Sequence, residues 1–303
     1  MSVLVLGGSG FIGGRVVEWL TANKHQALSC DIIQSNAQGK SVKWVKADVL
    51  EPLSLERLFL EYEVKSVIHL IGLPVIVQCE KNPQISFQLN VLSLQNSLEA
   101  MRRVDVEKVV FASSAAVYGY SLERPVMETD DLMPNTIYGY HKVIGEELLK
   151  SYTKSYGMKH IALRLFNVYG SDPFIGKDIV SILIKGALNK ETVTLKGRNK
   201  FRDFIHIDDV ARIFCDLVFS NISDRVINVG TGKKVKLEEV ANMAKSFCPE
   251  INVVEQETAD DGTGLVADVT QLTSMIHFHP IDPIKGIRNY MKSYLARAGK
   301  KRR

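Results

Sequence analysis

"SVLVLGGSGFIGGRVVEWLTANK", residues 2–24, holds an apolar run, a cluster of glycines and an amphipathic segment in direct succession. Residues 2–6 form the continuous apolar stretch expected of a strand covered on both faces. Gly8, Gly10 and Gly13 then satisfy G-x-G-x-x-G, while Gly7, Gly10 and Gly13 satisfy the variant G-x-x-G-x-x-G. Such glycines permit a tight turn, close backbone approach to a pyrophosphate, and a helix N-terminus whose free N–H groups face the anion. A glycine motif alone is a weak signal. Strand, motif and helix in this order point to dinucleotide binding.

The same rhythm continues downstream. "ALSCD", "VKWVKAD", "SVIHLI", "KVVFASS" and "KHIALRL" read as further buried strands. Between them lie helical patterns such as "LSLERLFLEYE", "ISFQLNVLSLQNSLEAMRR" and "YGYHKVIGEELLKSYTKSYG". Strand-helix alternation implies βαβ units and a doubly wound parallel sheet, an α/β Rossmann fold. After about residue 166 the rhythm changes to Gly-, Asp- and Lys-rich loops, a helix "DIVSILIKGALNK", a strand pair around "TVTL" and "RDFIHI", and two further helices. The expected organisation is a nucleotide-binding domain over 1–166, to which 203–230 returns. A smaller C-terminal α/β substrate-binding domain is expected over 167–202 and 231–303.

Composition narrows the function. Of 303 residues, 46% are hydrophobic and 24% charged, ordinary for a soluble globular protein. The net charge of +4 is concentrated in part in "AGKKRR", read as a solvated end, so neither nucleic acid nor a membrane is an expected partner. Cys30, Cys79, Cys215 and Cys248 are scattered without a CxxC pair, which favours a reducing compartment over a disulfide framework or zinc site. The opening apolar run is too short for a secretory segment, and a cytoplasmic location is expected. His277 and His279 lack the acidic or thiol company of a metal site, so no metal is expected. His69 and His206 read as structural histidines.

Two further features carry chemistry. Asp31 ends the second strand about 20 residues past the glycines, where a carboxylate accepts hydrogen bonds from ribose hydroxyls. "DIIQSN" contains no arginine for a 2′-phosphate, so NAD is favoured over NADP. In "TIYGYHK", Tyr138 and Lys142 lie one helical turn apart on a shared face. The ammonium is expected to lower the phenol's pKa, making Tyr138 a base toward an alcohol as hydride leaves. "FASSAAVYG" upstream ends a strand in Ser113 and Ser114, at the sheet edge where a ligand belongs.

The glycine motif, "FASSAAVYG", Tyr138-x-x-x-Lys142 and "FRDFIHIDDVA" together resemble the extended short-chain dehydrogenase/reductase family, of the nucleotide-sugar epimerase and dehydratase type. The resemblance covers nearly the whole chain. It implies Ser114, Tyr138 and Lys142 as a catalytic triad, with Ser114 bonding the reacting oxygen and Lys142 also holding the cofactor ribose. Cofactor contacts are implied at Gly7, Gly10, Phe11, Ile12, Gly13, Asp31, Asp48, Val49, Leu70, Ile71 and Phe166. Asn90 matches an asparagine that supports the helix bearing the site and is counted with the cofactor residues. Asn167 and Arg202 match positions that bind the nucleotide diphosphate, for which a planar guanidinium is suited. The helices at 84–103 and 137–156 correspond to those that pair in family homodimers.

This chain also departs from the family pattern. Ala115 and Ala116 stand where dehydratases carry an acidic pair, so water elimination lacks its proton carriers. Ile71 is bulkier than the usual small residue, and Pro74 follows Leu73, which reshapes the substrate mouth. The usual arginine of an R-x-G-D segment is missing from "ETADDGTGLVAD", leaving Lys285 or Arg288 as replacements. The reading is an NAD-dependent nucleotide-sugar epimerase working at C4 through a transient 4-keto sugar. The alternatives are a 4-ketoreductase or dehydrogenase on the same scaffold, and a non-enzymatic dinucleotide-sensing protein.

Overall fold

The computed structural model describes residues 2–34, 42–119, 122–260 and 262–300. In chain order the first elements are β1 (Ser2–Leu6), α1 (Phe11–Ala22), β2 (Ala27–Asp31), β3 (Lys43–Lys46), α2 (Pro52–Glu61), β4 (Val64–His69), α3 (Ile76–Lys81) and α4 (Pro83–Phe87). A π-helical turn, Gln88–Leu92, leads into α5 (Ser93–Arg103), β5 (Lys108–Ser114) and a 3₁₀ turn at Ala115–Val117. Next come α6 (Ile137–Tyr156), β6 (Lys159–Leu165), β7 (Asn167–Tyr169), α7 (Ile179–Asn189), β8 (Val193–Lys196), β9 (Phe201–Arg202) and β10 (Phe204–His206). The chain closes with α8 (Ile207–Phe219), β11 (Arg225–Val229), β12 (Val235–Lys236), α9 (Leu237–Phe247), β13 (Val253–Gln256), α10 (Thr270–Met275) and α11 (Pro283–Lys300).

The chain forms two compact units. The first comprises residues 1–119, 129–165 and 210–227, the second 120–128, 166–209 and 228–303. Residues 120–128, which the sequence reading puts in the first domain, thus group with the second. There Val126 bridges Ala267, and the Asn228 side-chain amide donates to the Val126 carbonyl at 2.9 Å.

A seven-stranded sheet organises the first unit, in the order β11-β6-β5-β4-β1-β2-β3. The strands from β3 to β6 are parallel neighbours. Strand order reverses between β1 and β4, and the C-terminal edge at such a switch point is where doubly wound sheets bind ligands. Register brings Leu6 opposite His69, and His69 opposite Phe111. The sheet packs its Leu4, Leu6, Val67, Val109 and Phe111 against Leu55, Phe59, Leu94, Leu98 and Leu149 from the helices. Burial on this scale is the main stabilising term of such a domain.

The segment 84–103 runs helically throughout, α4 passing through the π-helical turn into α5. One sequence expectation needs correcting. "TVTL" and "RDFIHI" do not pair with each other. β8 pairs in parallel with β13, whereas "RDFIHI" supplies β9, paired with β12, and β10, paired with β7. The cause is Asp203. This buried carboxylate separates β9 from β10 and accepts the Thr231 amide and hydroxyl, both at 2.7 Å, the Gly232 amide at 2.9 Å and the Ala267 amide at 3.1 Å. The second unit has its own core of Tyr169, Leu183, Ile184, Phe204, Val240, Ile287 and Met291.

Candidate active site

The cofactor residues inferred from the glycine motif gather at the C-terminal ends of β1, β2 and β4. Gly7 has φ +80°, a conformation other residues adopt only with strain. A Cβ on Gly13 would lie 2.0 Å from the Gly7 carbonyl oxygen, so the turn closes only with hydrogen at that position. Gly10 begins α1 without a side-chain cap, and Phe11 and Ile12 form its first turn, leaving the N-terminal amides to an anion. Asp31 ends β2, where its carboxylate accepts the Ser9 amide at 3.2 Å and the Ile32 amide at 2.8 Å. It thereby fastens the glycine turn while remaining partly exposed to a ribose. The Asp48 carboxylate accepts the Leu50 amide, whereas the Val49 side chain lies in the core. Leu70 donates its amide to the Leu6 carbonyl, and Ile71 packs within 3.1 Å of where a Gly7 Cβ would stand. A glycine cradle and an open helix N-terminus, with a carboxylate beside them, fit a dinucleotide.

Asn90 is held by protein groups beside the cradle. Its Oδ1 accepts the Leu73 amide at 3.0 Å, and its Nδ2 donates to the Leu73 carbonyl and the Ser86 hydroxyl. The side-chain amide thus ties Leu73, at the end of the segment after β4, to Ser86. The π-helical turn aims it there, a use of π-bulges common at functional sites.

The triad residues meet within the first unit. β5 delivers Ser114, whose Oγ accepts the Ala116 amide at 3.2 Å and whose hydroxyl acts on the Tyr138 phenol in favour of the phenolate. α6 starts where it does because the Thr136 hydroxyl accepts the Gly139 amide at 3.1 Å, and Glu80 of α3 accepts the Ile137 amide at 2.9 Å. Two orphan N–H groups are thereby satisfied, fixing Tyr138 in the first helical turn. Gly139 sits so near the 3₁₀ turn that a Cβ would fall 2.6 Å from the Ala116 carbonyl. One turn on, Lys142 donates its ammonium to the Ala112 carbonyl at 2.8 Å. Its Nζ lies 4.7 Å from the Phe111 ring centroid and 5.7 Å from that of Tyr138.

The electrostatics differ from the sequence expectation. Tyr138 is not lowered. Burial pushes its phenol up to about 12, against the opposing influence of Ser114, which favours the phenolate. Burial also brings the Lys142 ammonium down to about 8. Desolvation is the largest influence on both groups.

The remaining site residues belong to the second unit. The Phe166 amide donates to the Val229 carbonyl. The Asn167 side-chain amide and backbone amide both donate to the Asp203 carbonyl, at 3.3 and 2.9 Å. Arg202 donates to the Phe201 carbonyl at 2.8 Å, and burial pushes its guanidinium down while Asp260 opposes the shift. Sequence reasoning missed Asp203, Glu146 and Arg164. Each is a charge inside an otherwise apolar run or face, and that was the available signal.

The family model for the NAD-dependent epimerase/dehydratase family matches residues 3–230. The chain belongs to the NAD-dependent epimerase/dehydratase family. Its cofactor is accordingly NAD. A putative UDP-glucose 4-epimerase of Methanocaldococcus jannaschii is 34% identical over 250 residues, 80% of this chain and 81% of that protein. The solved UDP-glucose 4-epimerase of Thermus thermophilus in complex with NAD superposes with TM-score 0.89 at 29% identity, covering 97% of this chain and 99% of that one. The UDP-glucose 4-epimerase of Thermotoga maritima, solved with UDP-glucose, gives TM-score 0.89 at 25% identity, covering 98% and 99%. Within this family, Ala115 and Ala116 leave the 3₁₀ turn beside Ser114 without an ionisable side chain.

Proposed function

We propose that this protein is an NAD-dependent UDP-sugar 4-epimerase. The observation that carries the reading is the Ser114–Tyr138–Lys142 cluster, built in the same unit as the glycine cradle. The 4-epimerases among its relatives support the choice of substrate. The glycine turn Gly7–Gly13, Asp31, Asp48 and Lys142 would hold the dinucleotide. Bound there, NAD would supply a reversible hydride acceptor for the sugar carbon. Tyr138 removes the proton of the C4 hydroxyl and gives it back to the other epimer. Ser114 steadies the reacting oxygen through its hydroxyl. Lys142 supplies the positive charge that opposes desolvation of the phenolate.

The test is incubation of the purified protein with a panel of nucleotide sugars, with and without added NAD, followed by product analysis. A C4 epimer with no net change in cofactor supports the proposal. Net cofactor reduction or oxidation in step with product would make the protein a dehydrogenase or ketoreductase instead.

Arg202 and Asn167 are assigned to the nucleotide diphosphate. A contact remote from the reacting carbon persists from bound substrate to transition state, so it lowers KM without changing kcat. Loss of a charge-assisted hydrogen bond costs about 1.5–3 kcal/mol, or roughly tenfold to a hundredfold in affinity. Arg202→Ala is expected to raise KM by that factor, with kcat and NAD affinity nearly unchanged. An unchanged KM would remove the diphosphate from Arg202.

The protein is assigned as a cytoplasmic homodimer. Scattered free thiols suit a reducing compartment, and no helix among the described residues is long and apolar enough to cross a membrane. Ile85 and Phe87 of α4 and Tyr140 and Ile144 of α6 expose apolar surface on adjoining helices, with Phe87 edge-on to His141 at 5.6 Å. Contiguous exposed apolar patches mark association sites, and a two-fold copy would cover this one. Sedimentation is expected to give twice the chain's mass, falling to one chain in Tyr140→Glu/Ile144→Glu. A monomeric parent protein would sink the assignment.

A further inference from the structure

A buried ion pair adjoins the candidate triad and has no part in the chemistry above. Arg164 of β6 donates through Nε to Glu146 Oε1 at 3.0 Å and through Nη2 to Oε2 at 2.8 Å. Glu146 Oε1 also accepts the Ser113 hydroxyl at 2.5 Å, and Arg164 Nη1 donates to the Tyr118 hydroxyl at 2.9 Å. The two charged side chains are 0% and 3% exposed. One carboxylate therefore ties α6 to β5 and β6, and through Arg164 to the segment that follows Ser114. Glu146 stands one helical turn beyond Lys142 on the same face of α6. Ser113 is the neighbour of Ser114.

Stability alone gives little reason for this arrangement. Each buried ion loses several kcal/mol of hydration, and an apolar pair of similar volume often serves as well. The group that benefits from a negative charge here is Lys142. Its ammonium lies over the Phe111 ring and near that of Tyr138 and donates to the Ala112 carbonyl, and it is coupled by charge to His69 of β4, Cys79 of α3, and His141 and Glu146 of its own helix. Against the burial that pushes its ammonium down, Cys79 and Glu146 pull upward. A thiol exerts that pull only when ionised, whereas Glu146 is clamped by a guanidinium. The groups facing Glu146 are Arg164 and His160 of β6, Ser113 of β5 and, through Arg164, Tyr118.

We propose that Glu146 is a positioning residue for the epimerisation. Its carboxylate, forked by Arg164 and held by Ser113, braces α6 against β5 and β6 and sets a negative charge one helical turn from Lys142. The role rests on the assignment of Tyr138 and Lys142 given above.

The test titrates the Lys142 ammonium directly by side-chain NMR in the parent protein, in Glu146→Gln and in Arg164→Met, with kcat against pH alongside. Glu146→Gln is expected to lower the lysine pKa by about one unit. Arg164→Met leaves the carboxylate uncompensated and is expected to raise it. The Lys142-dependent limb of the kcat profile should move in the same directions. Opposite signs follow from charge, whereas a brace without an electrostatic role moves neither value, or moves both the same way; either result overturns the proposal. Should a single variant fail to fold, Glu146→Gln/Arg164→Met removes both charges together. Its lysine pKa is also expected below the parent value, and an unchanged value overturns the proposal. The lysine titration needs no turnover, so a parent protein inactive on every nucleotide sugar would sink the epimerase assignment separately.

Discussion

Replacing Tyr138 by phenylalanine is expected to leave NAD affinity intact and to lower kcat by a factor on the order of 10²–10⁴, the usual worth of a positioned acid or base. The substitution removes one oxygen and keeps the ring, so the first turn of α6 retains its packing and its Thr136 cap. What disappears is the oxygen on which Ser114 acts. A phenol pushed up to about 12 by burial holds its proton tightly, so the phenolate that would accept the C4 proton is scarce. The forward transfer therefore depends on the charge of Lys142 and the hydroxyl of Ser114, both of which favour the phenolate. Calorimetry with NAD and initial rates on the nucleotide sugar that turns over measure the two halves of the prediction. Turnover within a fewfold of the parent would mean that another group moves the proton.

Much of this site was legible in the residues because the elements bearing it are buried on both faces. The apolar runs at 2–6, 27–31, 108–114 and 159–165 coincide with β1, β2, β5 and β6 as built. Continuous hydrophobic runs leave little freedom in the placement of such strands. Tyr138 and Lys142 share a face by helical period alone. What stayed hidden depends on partners far away in sequence. Nothing local says that Asn90 will clasp Leu73 or that a π-helical turn will interrupt the helix around it. Asp203 takes donors from residues 231, 232 and 267, and these, not the period of "RDFIHI", split the strand into β9 and β10. The sign of the Tyr138 shift was missed for a related reason. Spacing discloses a neighbouring charge, whereas desolvation depends on everything else that closes over the group.

The same desolvation gives the protein a marked sensitivity to acid. His69 is wholly buried, and burial, with Lys142 second, pushes its imidazole down to about 3. Burial also lowers His141, again with Lys142 second, while its Nδ1 contacts the Ser86 hydroxyl at 2.9 Å. His160 is lowered by burial too, against the opposing pull of Asp224. In each case the folded state holds the neutral ring. As pH falls through about 6.5 the unfolded chain takes up protons that the folded chain refuses, so stability is present above that value and lost below it. For His69 the loss continues until the folded ring itself titrates. At about 1.4 kcal/mol per unit, its share reaches about 2 kcal/mol by pH 5 and about 5 kcal/mol near pH 3. His141 and His160 add to the slope over the first part of that range. Denaturant midpoints at pH 7.5, 6 and 5 should fall steadily, before most carboxylates begin to protonate near pH 4. His69→Leu keeps an apolar group of comparable bulk in the core and should remove one proton's worth of the slope. A midpoint unchanged between pH 7.5 and 5 would show that these rings titrate alike in the folded and unfolded chain, and that burial does not govern their charge.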